Sequence, residues 1–157
     1  MGISIIDVTE TLAEKLNLYC RRVDGNEIVI QLKNKKLDCH LSVVLEQDQD
    51  MIHFTCDLGL DVPPDRLMFA AGAIVRANER IQLGHFDMTS PDYRIAFCLT
   101  LPFLSSFAVD EDVIKSCIDI ISNECRRFYH YLLMIAGGCE LPDACLNALF
   151  AEPMGEA

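Results

Sequence analysis

Apolar residues follow two different spacings along this chain, and the change of spacing outlines the predicted elements. The first stretch has the helical spacing, in which apolar residues return every three or four positions. Asp7 and Thr9 lie at its start, as is typical of the capped first turn of a helix. The pattern predicts an amphipathic helix from about Asp7 to Asn17. Its buried stripe consists of Val8, Leu12 and Leu16.

Residues 19–58 have the alternating pattern of β-strands and predict two hairpins. Segments 19–23 and 27–32 are separated by Asp24-Gly25-Asn26, where we expect Gly25 to supply the positive φ of a tight turn. A second hairpin, from Leu37 to Leu58, turns near Asp48-Gln49-Asp50. Its core-facing residues are Cys39, Leu41, Val43, Leu45, Ile52, Phe54, Cys56 and Leu58.

The second hairpin has a predicted register, because its two apolar sets must share one face. The pairs are then Leu45 with Ile52 and Val43 with Phe54. His40 falls opposite Asp57 on the outer face, with Ser42 two positions along. A histidine with an orienting carboxylate beside a hydroxyl could serve nucleophilic catalysis. The alternative is a cross-strand ion pair on the surface.

A helix is predicted to follow Pro63-Pro64-Asp65 and to run to about Gln82, since proline is tolerated in a first helical turn. Residues 70–73 are small, so a neighbouring element should approach closely there. We expect Asn78 to tie the helix to the next strand, because a buried amide needs hydrogen-bond partners. Gly84 is predicted to end the helical turn in the left-handed conformation. The predicted buried face consists of Leu67, Ala71, Ile74, Asn78 and Ile81.

A third hairpin and a long helix complete the pattern. Phe86 and Met88 should face one side of the next strand, with His85 and Asp87 on the other. The hairpin turns at Ser90-Pro91-Asp92, and its return strand, 93–101, is apolar on both faces, which indicates an interior strand.

The last helix is predicted to begin after an N-cap at Asp110 and to extend for about 27 residues, or about 40 Å. This length suggests that part of it serves a partner. Its predicted stripe is Val113, Cys117, Ile120, Ile121, Cys125, Phe128, Leu132 and Ile135.

The predicted fold class is therefore α+β, an antiparallel sheet of about five to six strands with flanking helices in the order α-ββ-ββ-α-ββ-α. Residues 1–136 should form a single domain, since 157 residues suit one core. Residues 137–157 form a C-terminal tail. Leu141, Leu146, Leu149 and Phe150 suggest a short helix there, which would either cap the core or act as a docking segment.

The charge of the chain argues against nucleic acid as a partner. The formal net charge is −11, so a phosphate backbone would be repelled over most of the surface. Lys33, Lys35 and Lys36 form a local exception, read either as a solvated turn or as a site for a polyanion or acidic peptide. No apolar run reaches the length of a membrane-spanning helix, and no secretory signal is visible, so a cytoplasmic location and no membrane partner are expected.

The eight cysteines do not follow the spacing of a zinc or redox motif, since the sequence contains no Cys-x-x-Cys. In a reducing compartment most of them should be buried thiols that pack as small apolar groups, with metal or redox roles as the alternative. Cys139 and Cys145 are the pair expected to be exposed and open to reaction. The full set is Cys20, Cys39, Cys56, Cys98, Cys117, Cys125, Cys139 and Cys145.

The order and spacing of several residues resemble the bacterial YbjN family of sensory transduction regulators, over about residues 5–136. The fold of that family is similar to type III secretion chaperones, and the resemblance implies a dimeric, non-enzymatic protein of chaperone or adaptor type. The residues that carry it are Pro63-Pro64, Asn78, Gly84, Phe86, Asp87, Arg94-Ile95-Ala96-Phe97, Val113 and Ile114.

Two classes of function remain open from the sequence. The first is a homodimeric module that binds a protein or peptide client, with no catalytic residues, cofactor or metal. The second is a small-ligand-binding protein or an enzyme that uses histidine and aspartate on the outer sheet face. Its candidate residues are His40, His53, His85, Asp57 and Asp87. A metal at His40 and His53 would need a third ligand that spacing does not identify.

Overall fold

A six-stranded antiparallel sheet and three α-helices make up the described part of the chain, residues 4–103 and 110–138 of a computed structural model. The helices are α1 (Ile5–Lys15), α2 (Leu67–Asn78) and α3 (Glu111–Ala136). The strands are β1 (Cys20–Arg22), β2 (Glu27–Lys33), β3 (Asp38–Glu46), β4 (Met51–Asp61), β5 (His85–Thr89) and β6 (Arg94–Pro102). Their spatial order is β1-β2-β3-β4-β6-β5. The predicted fold class and order of elements are confirmed.

The helices cover one face of the sheet, and strand alternation determines which side chains lie beneath them. Helix α1 packs on β1, β2 and β3, while α3 packs on β4 and β6 and α2 packs on β5 and α3. The predicted register of the second hairpin is confirmed, with Leu45 opposite Ile52 and Val43 opposite Phe54. All eight residues predicted to face the core from this hairpin are buried.

Helix α1 begins earlier than predicted, because Ser4 is its N-cap. The Ser4 hydroxyl accepts a hydrogen bond from the Ile6 amide at 3.3 Å, and the Asp7 carboxylate accepts one from the Ser4 amide at 3.2 Å. Asp7 therefore closes a capping box from inside the helix. Thr9 is fully buried, and its hydroxyl donates to the Ile5 carbonyl at 2.7 Å. Of the predicted stripe only Leu12 is buried.

The turn between β1 and β2 forms without the positive φ expected at Gly25, so that prediction is wrong. The Asp24 carboxylate instead accepts a hydrogen bond from the Asn26 amide at 2.7 Å. The Val23 amide donates to the Glu27 carbonyl at 2.9 Å. A side-chain hydrogen bond of this kind closes a turn in ordinary backbone conformations.

Helix α2 follows a short 3-10 turn at Pro64–Arg66 and ends at Asn78, before the predicted end near Gln82. Its buried face is shifted by one position from the predicted one, since only Ile74 of the predicted set is fully buried. The opposite side exposes 89% of Met68 and 59% of Val75. The buried residues are Ala70, Ala73, Ile74 and Ala77.

The side chain of Asn78 ties α2 to β5, as predicted. Its Nδ2 donates to the Phe86 carbonyl at 3.0 Å, and its Oδ1 accepts from the Phe86 amide at 2.7 Å. One amide therefore satisfies both backbone groups of a strand residue. The contact fixes the distance and the angle between the helix end and the strand.

The Asn78 contact places Phe86 in a buried aromatic cluster with Phe97 and Phe128. The Phe86 ring meets Phe97 edge to face at a centroid distance of 5.0 Å, and Phe128 at 5.5 Å. Gly84 lies above this cluster with a φ of 80°, and a Cβ atom there would stand 2.6 Å from Cζ of Phe97. Gly84 is thus required both by its backbone conformation and by the space above Phe97.

Helix α3 begins after Asp110, as predicted, and the Asp110 carboxylate accepts a hydrogen bond from the Asp112 amide at 3.2 Å. The stripe differs from the predicted one at its start, because Val113 is exposed and Ile120 half-buried while Ile114 and Ile118 are buried. Buried residues continue to Ile135, so the core uses nearly the whole helix. No helix in the described residues is long and apolar enough to cross a membrane.

Three cysteines from three elements meet inside the core. Cys39 and Cys56 lie on adjacent strands, and the Cys56 thiol donates to the Cys39 Sγ at 3.0 Å. Cys125 of α3 is near enough to both thiols to shift their pKa. The hydrogen bonds of Cys56 with Cys125 and Cys39, together with burial, raise the pKa of the Cys56 thiol. These thiols are free and at most 1% exposed. Cys139 and Cys145, the pair expected to be exposed, lie outside the described residues.

Replacement of Asn78 by alanine should lower the free energy of unfolding by about 2 to 3 kcal/mol, because the Phe86 amide and carbonyl both lose their partner. Urea denaturation followed by circular dichroism measures this. Asn123→Ala is the matched control, since Asn123 is exposed on α3 and its side chain accepts a hydrogen bond from the neighbouring Arg126 side chain. If Asn78→Ala lowers the free energy of unfolding no more than Asn123→Ala does, the role assigned to Asn78 is contradicted.

Alanine at Gly84 and at Gly59 should separate backbone strain from steric overlap. Both residues have positive φ, but a Cβ at Gly59 meets nothing within 4 Å. We expect Gly59→Ala to cost about 1 kcal/mol from backbone strain alone, and Gly84→Ala at least about 3 kcal/mol because Phe97 must also move. Equal losses in thermal or urea unfolding would show that the Phe97 contact carries no cost.

The three core thiols should resist alkylation by iodoacetamide in the native protein, because reaction requires exposure of the core. Half-buried Cys20 and Cys98 should be labelled before these three thiols. Peptide mass spectrometry over a time course, with and without urea, gives the rate at each position. Labelling of Cys56 in native buffer as fast as labelling of Cys20 would refute the packing described for the core thiols.

Candidate functional site

The face of the sheet opposite the helices is the main candidate for function, and we call it the outer face. Its residues come from β2 to β6 and are aligned by the antiparallel registers. They include Glu27, Val29, Gln31, His40, Ser42, Val44, Glu46, His53, Thr55, Asp57, His85, Asp87, Arg94, Ala96, Cys98 and Thr100. The outer face therefore gathers three of the four histidines of the chain.

Short side chains occupy the middle of the outer face. Ser42 lies opposite Thr55, and Thr55 opposite Cys98, so three short groups stand in a row across β3, β4 and β6. All three are half-buried, and the neighbouring Ala96 is only 2% exposed. Burial raises the pKa of the Cys98 thiol, and the Asp87 carboxylate raises it further. Cys98 is therefore a protonated thiol at neutral pH and a weak nucleophile.

The predicted pairing of His40 with Asp57 exists in the backbone register, but the side chains of Asp57 and Ser42 have other partners. The Asp57 carboxylate forms an ion pair with Arg94 at 3.0 Å and accepts a hydrogen bond from the Gly59 amide at 2.8 Å. The Ser42 hydroxyl donates to Glu27 at 2.8 Å. Neither expected arrangement forms: Ser42 and Asp57 do not complete a triad with His40, and His40 does not form an ion pair with Asp57. Arg94, which is permanently charged, pairs with the Asp57 carboxylate instead.

His53 has the best-defined surroundings of the histidines on the outer face. Its Nε2 lies 2.8 Å from a carboxylate oxygen of Glu46, and its Nδ1 lies 3.0 Å from the Thr100 hydroxyl. A carboxylate that orients an imidazole is a common feature of catalytic bases. Here both ring nitrogens already have partners within the sheet, so the arrangement links three strands.

Sequence reasoning identified His53 but missed Glu46 and Thr100. The β3–β4 register contained a signal for Glu46, since Val44 pairs with His53 and Glu46 lies two residues along the same face. Thr100 reaches His53 only because β6 pairs with β4. That pairing joins strands separated in sequence by α2 and β5.

The remaining candidates are separate from this cluster. His85 and Asp87 are exposed on the edge strand β5, where the Asp87 carboxylate accepts a hydrogen bond from the Met88 amide at 2.8 Å. In the basic turn, the Asn34 side chain accepts from the amides of Lys36 and Leu37 at 2.8 and 3.0 Å. Among residues 4–103 and 110–138, no group of histidine, cysteine and acidic side chains could hold a metal ion.

A second candidate surface is a groove between α2 and α3, which we call the helix groove. Its volume is about 170 Å³, and its lining is mainly apolar. The small residues predicted to admit a neighbour do so here, because the Tyr131 hydroxyl of α3 donates to the Ala73 carbonyl at 3.4 Å. The lining residues are Met68, Phe69, Gly72, Ala73, Arg76, Tyr131 and Ile135.

Comparison with known proteins agrees with the resemblance inferred from the sequence. The crystal structure of YbjN from E. coli, described as "a putative transcription regulator", matches with a TM-score of 0.56 at 12% identity. The match covers 83% of this chain and 96% of that one, and at this identity it shows the fold. Among curated proteins, no sequence matches. The family model YbjN, "Putative bacterial sensory transduction regulator", matches residues 6–134, so the chain belongs to the YbjN family.

Proposed function

We propose that the chain is a non-enzymatic regulatory module that acts in the cytoplasm as a homodimer and binds a protein client, as a chaperone or an adaptor does. The family is described as one of regulators, which supports the regulatory part of the proposal. The surfaces of this chain support the other two parts of the proposal, which are protein binding and dimer formation.

One observation carries the proposal: none of the three described helices packs on the outer face of this well-packed sheet. Its middle consists of short side chains, with half-buried Val29 and Val44 beside Ser42, Thr55 and Cys98. Another protein can approach such a surface closely, because no long side chain needs to be displaced. Two sheets that pack face to face stand about 10 Å apart, a spacing that short side chains permit.

The polar groups of the outer face also favour binding over catalysis. Glu46, His53 and Thr100 interact with one another, and Asp57 pairs with Arg94. These contacts hold the side chains in fixed positions at the surface. A small-ligand site or an active site would instead need convergent groups around a concave pocket. The second class of function, which uses histidine and aspartate on this face, therefore has less support.

Arginine in place of Val44 should weaken dimer formation and client binding at least about tenfold, because a long charged side chain would stand in the middle of the contact. Val44 points away from the core, so the fold should be retained. Sedimentation over a range of concentrations measures the dimer. Cross-linking in cells followed by mass spectrometry compares the captured proteins.

The matched control is Val113→Arg, since Val113 is 46% exposed on the first turn of α3 and lies on the helix side of the molecule. Its circular dichroism spectrum and its partners should equal those of the unmodified protein. The outer face would be refuted as the contact surface if the unmodified protein sediments as a monomer at all concentrations. It would also be refuted if Val44→Arg and the control capture the same proteins. Binding of a metabolite abolished by His53→Ala would support the second class of function.

A further inference from the structure

We propose that the helix groove binds the C-terminal segment of its own chain, residues 139–157, through Leu146, Leu149 and Phe150. The groove and the outer face lie on opposite sides of the sheet. The inference therefore does not depend on the proposed function. It assigns an occupant to the apolar surface that α2 and α3 leave open.

The helix groove has the form of a site for an apolar segment. Met68 is 89% exposed at its edge, so a large apolar side chain borders the groove and is accessible to a partner. Gly72 leaves its floor open, since a Cβ there meets nothing within 4 Å. Phe69, Tyr131 and Ile135 supply apolar walls. An amphipathic helix laid into such a groove is a recurring mode of recognition.

The end of α3 lies close to this groove. Ile135 lines the groove and lies three residues before Gly138. Gly138 has a φ of 92°, and its amide donates to the Ile135 carbonyl at 3.2 Å. A left-handed residue in this place ends a helix and turns the chain away from the helix axis. The described chain therefore ends three residues after a residue of the groove lining.

The segment is long enough to reach the groove. Leu146 follows Gly138 by eight residues, which can span up to about 27 Å when extended. The α3 side of the groove, from Tyr131 to Ile135, extends only about 6 Å along the helix. Attachment to the same chain also gives the segment a local concentration in the millimolar range, which favours it over a second copy.

The chemistry of the segment matches that of the groove. Leu146, Leu149 and Phe150 have the spacing of one helical face, and this face would meet the apolar walls. Residues 139–157 contain four acidic residues and no lysine or arginine, while Arg76 contributes a positive charge to the groove lining. The match to the family model ends at residue 134, so the segment lies beyond the shared fold.

Site-specific cross-linking in the 157-residue protein tests this assignment. A photoreactive phenylalanine analogue is placed at position 68, and peptide mass spectrometry identifies what it captures. We expect capture of residues 139–157 within one chain, with a yield that does not depend on protein concentration. Leu149→Glu combined with Phe150→Glu should lower the yield about tenfold, because two carboxylates would enter an apolar site.

The charge-matched control is Ala148→Glu combined with Ala151→Glu, which places the same two charges on the opposite side of the predicted helical face. Its yield should equal that of the unmodified segment. The NMR resonance of the Met68 methyl group gives an independent readout in proteins without the photoreactive residue. It should shift in the variant with Leu149→Glu and Phe150→Glu and be unchanged in the variant with Ala148→Glu and Ala151→Glu. Capture between two chains, capture of other residues, or equal yields in both variants would overturn the assignment.

Discussion

The contact between Asn78 and Phe86 is the constraint on which the arrangement of helices and sheet depends. Helix α2 is short and rich in small residues, so apolar burial alone defines its position weakly. The two hydrogen bonds of the Asn78 side chain fix α2 relative to β5. Because the same bonds position Phe86, they also determine its ring contacts with Phe97 of β6 and Phe128 of α3. A polar pair thus sets the geometry of an apolar core.

Packing of all three helices on one face leaves the other face to be stabilised by side-chain pairs. Arg94 joins β6 to β4 through Asp57 and Asp61, and His53 joins β4 to β3 and β6. Cross-strand pairs at exposed positions contribute modestly each, but they hold long polar side chains in place. An open face that is ordered in this way loses less side-chain entropy when a partner covers it.

Local patterns predicted most of the fold, and contacts between distant segments account for the errors. The period of two determined the β3–β4 register, and a buried amide near a strand start was enough to predict the role of Asn78. At the site, the same register placed His40 opposite Asp57. The register could not show that Arg94 of β6 would form the ion pair with the Asp57 carboxylate, because the alternating pattern of neither strand predicts that β4 pairs with β6.

The predicted buried stripes differ from the observed ones for a related reason, by one position in α2 and only at the start of α3. Apolar residues such as Val113 and Ile120 fit a helical period as well as Ile114 and Ile118 do, and only the neighbouring elements decide which set is buried. The same choice leaves Met68 and Val75 outside the core. The helix groove therefore arises from the way α2 turns its small residues toward α3, and the exposed apolar surface beside it is a direct result of that close packing.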